Sequence, residues 1–311
     1  MFDSVTFLQM IKAQGVQINE PKRQTGGNSH IYFIKLGNQE LVLKVYKGDD
    51  ARKKLSRDCE LSSYRFLHAK SFTRLPKLYE EIVVSDGILL EYINGQTPTH
   101  SLKVNGEILE SMRQLALLFR LDSSFKDAVD ASYSTEDIVS QIQNRINHLG
   151  DLPTSQFGEL KEILTFLEER EPIVFSNETF TYSMSDIGVH NMIQSEQGIK
   201  FLDLEFFGKD SAVKMILDYL LHPKNSMSRE IRCKTLEFGE DVFGIDLDLV
   251  ISVTPFFAAK WATIVSRRLN AMIQEIQEEE RHKSIQDFQG YLDLAKMKDR
   301  EQIHAKLLTL R

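Results

Sequence analysis

The chain has little of what marks several whole classes of protein. Two cysteines, Cys59 and Cys233, stand among 311 residues, and neither has metal-ligand spacing. A disulfide scaffold and a cysteine zinc site are therefore excluded, and a reduced cytosol is the simplest setting. No apolar run in the sequence reads as the ~18 residues that cross a bilayer. The opening MFDSVTFLQMIKAQG carries an acid at position 3 and no cleavable signal pattern, so a cytoplasmic location and no membrane partner are expected. There is no internal repeat and no low-complexity tract. A βαβ alternation is missing too, which argues against a doubly wound sheet. The formal net charge of −7 argues against nucleic acid as the main partner. It does not decide on polyphosphates, which need only local cations or metal.

What is present is an ordinary globular composition, 42% apolar and 27% charged, long enough for two domains. Residues 1–14 suit a short helix. HIYFIKL and ELVLKVY flank Gly37-Asn38, a hairpin turn signal. A helix is expected over 50–68, then strands in EEIVVSD and GILLEYI joined at Ser85-Asp86-Gly87. After Asn94-Gly95 the pattern becomes helical, with Ile108, Met112, Leu115 and Phe119 on one face. Helices over 135–149 and 155–170 have Ser134 and Thr154 as candidate caps. Strand-like NMIQ and IKFLDLEFF interrupt the helices between 181 and 207, and helix resumes from Ser211. The expected fold class is α+β and bilobal. Residues 1–95 form an antiparallel β-rich lobe with one helix, and 96–311 form a mainly helical lobe carrying the catalytic hairpins.

The chemistry concentrates in SMSDIGVHNMI and IKFLDLEFFGKD. Asn191 lies five residues after Asp186, and Asp203 lies twelve after Asn191 at the end of an apolar run. An acid, an amide and a second acid on a following hairpin supply a base and two oxygen ligands for a hard cation. Asp203 and Glu205 are expected to point the same way on a strand, as a carboxylate pair suited to magnesium. Lys44 sits inside an alternating apolar strand, sharing a face with Val42 and Tyr46. A cation there needs an anionic partner, unless it is merely an edge-strand lysine. Glu60, sixteen residues on, shares a helix face with Tyr64 and Leu67 and is the candidate partner, with Asp58 as competitor. Gly26 and Gly27, followed by Asn28 and Ser29, would let backbone amides approach phosphates. This is not a G-x-G-x-x-G loop, and an ordinary turn is the bland alternative. Glu91, Tyr92 and Ile93 end the β-rich part, where a linking strand would offer backbone groups to an adenine edge. Ser185 and His190 raise a hydrolase alternative, but no G-x-S-x-G elbow accompanies them.

Together these residues resemble the aminoglycoside phosphotransferase and choline kinase-like superfamily over about residues 20–225. The matching text is Met184-Ser185-Asp186, Asn191, Leu202-Asp203-Leu204-Glu205 and Gly208-Lys209-Asp210. The loop is similar, more closely, to a branch of the superfamily reading Ser-Asp-Phe-Gly-Phe-His-Asn. Met184 stands where the superfamily's loop carries a histidine. The resemblance implies a protein-kinase-like fold, ATP as cofactor with GTP left open, Mg²⁺, and a small-molecule hydroxyl acceptor. It implies Asp186 as the general base or orienting acid, Asn191 and Asp203 as metal ligands, Lys44 and Glu60 as the phosphate-positioning pair, and Asp218 as a structural acid. A nucleotide-binding pseudokinase is the alternative. A protein kinase is disfavoured because no Ala-Pro-Glu segment follows Asp203. For the acceptor pocket, Lys260, Trp261, Arg267 and Arg268 are candidates, as is Gln277-Glu278-Glu279-Glu280, which reads more simply as a solvated face. The acceptor itself and the oligomeric state are left open.

Overall fold

A computed structural model describes residues 3–13, 16–19, 29–80, 82, 84–149, 154–272 and 278–310. In chain order the elements are α1 (Ser4–Ala13), β1 (Gln17–Asn19), β2 (Ser29–Leu36), β3 (Gln39–Tyr46), α2 (Asp50–Ala69), β4 (Gly87–Glu91), α3 (Leu102–Leu121), α4 (Thr135–Asn147) and α5 (Thr154–Glu168). Then follow β5 (Phe180–Ser183), β6 (Met192–Ser195), β7 (Gly198–Phe201), β8 (Gly208–Ser211), α6 (Ala212–Leu221), α7 (Arg229–Phe243), α8 (Leu247–Met272), α9 (Glu278–Lys296) and α10 (Arg300–Thr309). The chain divides into two compact units. One contains Met1–Pro98 and His190–Phe207, the other Thr99–Val189 and Gly208–Arg311. The division therefore differs from a single cut after residue 95: the β6–β7 hairpin groups with the first unit.

In the first unit an antiparallel sheet runs β1-β2-β3-β4. Gly37, at φ 59°, makes the two-residue turn that sets Leu36 opposite Gln39. That register continues to Ile31 opposite Lys44 and, on the other side, Lys44 opposite Ile88. Lys44 is thus on an interior strand, which removes the edge-lysine reading. Ile34, Leu41, Leu43, Val45 and Leu89 form the core under α1's Phe7. Helix α2 starts where Asp49 accepts the Arg52 backbone N–H at 2.8 Å, and it buries Glu60, Ser63, Tyr64 and Leu67. The β6–β7 hairpin joins this unit through paired backbone bonds between Gln96 and Gln194. A Cβ on Gly95 would lie 2.3 Å from the Gln194 carbonyl, so that close approach requires glycine.

One expected strand is corrected. The expected strand in 80–86 falls partly on residues 81 and 83, which lie outside the described residues. The strand β7 stops at Phe201, so residues 202–207 are not strand and Asp203 and Glu205 do not share a strand face. Asp203 takes φ 62°, which a strand cannot contain.

The second unit packs helices α3 to α10 with a short β5–β8 ladder, Phe180 opposite Ser211 to Ser183 opposite Gly208. Gly208 enters that ladder before α6 begins, rather than running straight into helix. Ser134 and Ser211 cap α4 and α6 by accepting the backbone N–H of Asp137 and Lys214. Helix α8 contains a 21-residue stretch, Leu247–Arg267, long and apolar enough to cross a membrane by length and composition. The expectation that no such run exists is therefore corrected. Of its most apolar 18 residues 83% are buried, which is how a core helix reads. Arg232, also buried, donates to the carbonyls of Leu220, Leu307 and Leu310, tying the end of α6 to α10.

Candidate functional site

In the first unit, Lys44 Nζ lies 2.6 Å from Glu60 Oε2 and 2.6 Å from Asp203 Oδ1, although Asp203 is 159 residues away in the chain. Strand alternation puts Tyr46 on the same face, and its hydroxyl donates to Glu60 Oε2 at 2.6 Å. The other Glu60 oxygen accepts the Leu204 backbone N–H at 3.2 Å. One carboxylate therefore anchors both the sheet and the segment carrying Asp203. Asp58 is not its rival: it turns outward to pair with Arg57.

Burial pulls the Lys44 ammonium down in pKa, but the charges of Glu60 and Asp203, with hydrogen bonds to both, outweigh it and the net shift is upward. Complete burial pushes the Glu60 carboxyl up against the opposing pull of Lys44. Burial, then the Glu60 charge, also raises the Tyr46 phenol well above its usual value, so it stays a donor. Counted as ionised, one ammonium against two carboxylates leaves an excess negative charge. Asp203 keeps 33% of its side-chain surface exposed, whereas Glu60 has none.

Asn191 is buried and sits beside Asp203's segment, because its carbonyl accepts the Leu202 N–H at 2.8 Å as Met192 pairs with Phe201. The hairpin thus brings an amide and a carboxylate to its open end. Carboxylate and amide oxygens with surplus negative charge fit a hard cation such as Mg²⁺. Glu205, the third candidate ligand, is buried in the same unit. Gly26, Gly27 and Asn28 lie outside the described residues; Ser29 opens β2 opposite Tyr46. At the end of β4 the side chain of Glu91 accepts the Lys77 N–H at 3.0 Å, and the Tyr92 ring packs edge-on to Phe33. The backbone N–H groups of Glu91 and Tyr92 donate to Lys77 and Glu40.

In the second unit, Asp186 follows a tight turn in which its N–H bonds the Met184 carbonyl at 2.7 Å and Ser185 takes φ 60°. Among the described residues three non-glycines have positive φ: Ser71, Ser185 and Asp203. Two of them adjoin or are candidate site residues, where strained backbone concentrates. Met184 is buried as a core side chain. The carboxylate of Asp186 meets His222, Nε2 to Oδ1 at 2.9 Å. Sequence reasoning missed His222. Its signal was a histidine ending the apolar helix α6 just before Pro223. His190 is exposed, and Lys214 Nζ donates to Ser185 Oγ at 3.4 Å. The chain passes from the second unit to the first between Val189 and His190, inside the motif itself.

Of the acceptor candidates, Lys260 and Trp261 are buried and both donate to Asp218 Oδ1, at 2.5 and 3.1 Å, which makes them structural here. Asp218 is the structural acid that was expected. Arg267 and Glu278 are exposed, Gln277 lies outside the described residues, and the side chains of Arg268, Glu279 and Glu280 are not described.

The chain has the α+β, protein-kinase-like fold of small-molecule kinases, the group its motifs resemble. It is similar to the choline kinase of Streptococcus pneumoniae, at 13% identity and TM-score 0.63, covering 93% of this chain and 98% of that one. The choline kinase of Cryptosporidium parvum matches at 13% identity and TM-score 0.63, over 99% and 98%. Spectinomycin phosphotransferase, in complex with ADP and spectinomycin, matches at 10% identity and TM-score 0.58, over 97% and 98%. No family model and no curated protein matches by sequence.

Proposed function

We propose that the protein is an ATP- and Mg²⁺-dependent phosphotransferase that moves the γ-phosphoryl group to a hydroxyl of a small molecule. The observation that carries this reading is Lys44, held at 2.6 Å from both Glu60 and Asp203 with the outer acid still partly exposed. That arrangement keeps an ammonium charged, pointed and able to exchange an anionic partner for phosphate. The similar structures bound to ADP, to AMP, and to AMP-PNP with Ca²⁺ support nucleotide and divalent-metal use.

In the reaction, the bond from γ-phosphorus to the β–γ bridging oxygen breaks as a bond to the acceptor oxygen forms. Asp186 receives or orients the acceptor's proton. Lys44, fixed by Glu60, binds phosphate oxygens. Asn191 and Asp203, with Glu205 as a further candidate, would hold Mg²⁺, which would neutralise charge on the phosphates. Gly26 to Ser29 would cover the phosphates. Of the three residues proposed to meet the adenine edge, Glu91 and Tyr92 already use their N–H groups internally, so Ile93 is assigned as the donor. Catalysis would be positioning and charge neutralisation, since the transition state is loose.

The test is a nucleotide-consumption screen across amino alcohols, sugars and aminoglycosides, beginning with choline, ethanolamine and spectinomycin, with Asp186→Asn as the blank. Asp186→Asn should lower turnover about 10²–10⁴-fold with Mg-ATP affinity unchanged. Wild-type turnover in that variant would remove Asp186 from the mechanism. Absence of any thermal shift with Mg-ATP would instead favour a pseudokinase acting as an interaction module.

A further inference from the structure

We propose that His222 is a positioning residue for Asp186, and that the turn His222–Asn225 holds the SDIGVHN loop in its working shape. This rests on the reading of Asp186 as the acid that meets the acceptor hydroxyl.

The imidazole is buried and each ring nitrogen has its own partner. Nδ1 accepts the Lys224 backbone N–H at 3.1 Å, while Nε2 faces Asp186 Oδ1 at 2.9 Å. A nitrogen that accepts an N–H carries no proton of its own, so the proton sits on Nε2 and is donated to the carboxylate. The ring plane is set independently. It stands edge-on to Trp261 with centroids 4.9 Å apart, and the indole N–H is anchored on Asp218. One Asp186 oxygen is thereby committed to a fixed donor, which defines the carboxylate's orientation. The side chain still keeps 34% of its surface exposed. A neutral donor steers the acid without cancelling its charge.

Three residues on, Asn225 completes the clamp. Its Oδ1 accepts the Val189 N–H at 3.0 Å and its Nδ2 donates to the Ile187 carbonyl at 2.9 Å. A second Nδ2 bond to Tyr219 O and a backbone bond to His222 O fix the asparagine to the end of α6. The backbone after Asp186 and the side chain of Asp186 are thus held by one turn of four residues.

The experiment compares His222→Ala, His222→Gln, Asp186→Asn and the double variant His222→Ala/Asp186→Asn, using the best acceptor from the screen. His222→Ala should lower kcat about 10–100-fold, with the Mg-ATP Kd and acceptor KM near wild type. His222→Gln, which can still donate an N–H, should recover part of that loss. The double variant should be no slower than Asp186→Asn alone, because both act on one group. Nitrogen-15 spectra of the histidine rings give a readout independent of turnover: His222 should carry its proton on Nε2, and its signal should move in Asp186→Asn. Wild-type kcat in His222→Ala, additive losses in the double variant, or a proton on Nδ1 would overturn the proposal while leaving an inactive Asp186→Asn to support the phosphotransferase reading. A fully active Asp186→Asn would overturn both. If the alanine variant does not fold, His222→Gln and the wild-type spectrum still decide.

Discussion

Each unit buries a lysine between two carboxylates, and the two clusters differ in exposure and in charge balance. In the first, Lys44 lies 2.6 Å from both Glu60 and Asp203, with side-chain exposures of 9%, 0% and 33%. In the second, Lys214 lies 2.6 Å from Asp210 and 3.3 Å from Asp218, with exposures of 1%, 0% and 4%. The second cluster is also charge-balanced, since Lys260 meets Asp218 at 2.5 Å, whereas the first keeps a surplus negative charge. A sealed, balanced cluster can only hold the fold together. An open cluster with surplus charge can trade an internal partner for a cation or a phosphate. Similar geometry thus serves two ends, and exposure with charge balance tells them apart.

The strongest way to break this comparison is to remove each lysine. Lys214→Met leaves Asp210 buried without a cation and should cost about 3–5 kcal/mol in urea unfolding. Lys44→Met should cost less, about 1–3 kcal/mol, because Asp203 keeps 33% of its side chain in solvent whereas both acids of the second cluster are sealed. Equal costs would show that openness does not separate the clusters.

Ligand response should sort the other way. In wild type, Mg-ATP at 100 times its Kd should add about 2.7 kcal/mol of stability. Lys44→Met and Asp203→Ala should lose most of that, read as a melting shift or by calorimetry. Undiminished affinity in Asp203→Ala would contradict its role as a ligand.

Alkaline titration sharpens the same point. Both lysines have pKa values raised above the unfolded value of 10.5, burial opposing and the flanking carboxylates prevailing. Their stabilising charge is complete below that value and is lost as pH rises toward the folded values, where the native state binds more protons than the unfolded one. Stability should therefore fall above pH 10.5 by up to about 1.4 kcal/mol per pH unit for each lysine. Each Met variant should lose its share of the slope in urea midpoints measured across that range.

The smallest effect belongs to Asp58. Paired with Arg57 and 45% exposed, it should cost about 0–1 kcal/mol as Asn and leave Mg-ATP binding unchanged. A loss of nucleotide affinity there would reopen the choice between Asp58 and Glu60.

Much of the first cluster was legible in the sequence, because short-range periodicity reports it. Two-residue alternation put Lys44 and Tyr46 on one face, and helical spacing put Glu60 with Tyr64 and Leu67. The four-residue strands β5 and β8 were not legible, since so short a ladder carries no periodic signal. The left-handed Asp203 was likewise misread as strand, because an apolar run ending in acids looks the same in either conformation. His222 and Asn225 were invisible as loop partners: nothing within 30 residues of Asp186 announces them.

By itself, then, the sequence determined which side chains carry charge into apolar surroundings and in what order, because burial pattern and turn chemistry are local. Only tertiary structure decided that Asp203 returns to Lys44 across 159 residues, that the Lys214 cluster is sealed while the Lys44 cluster opens at Asp203, and that an imidazole from the end of α6 lies 2.9 Å from Asp186. Those outcomes depend on which distant segments exclude water together, and no spacing along the chain encodes that.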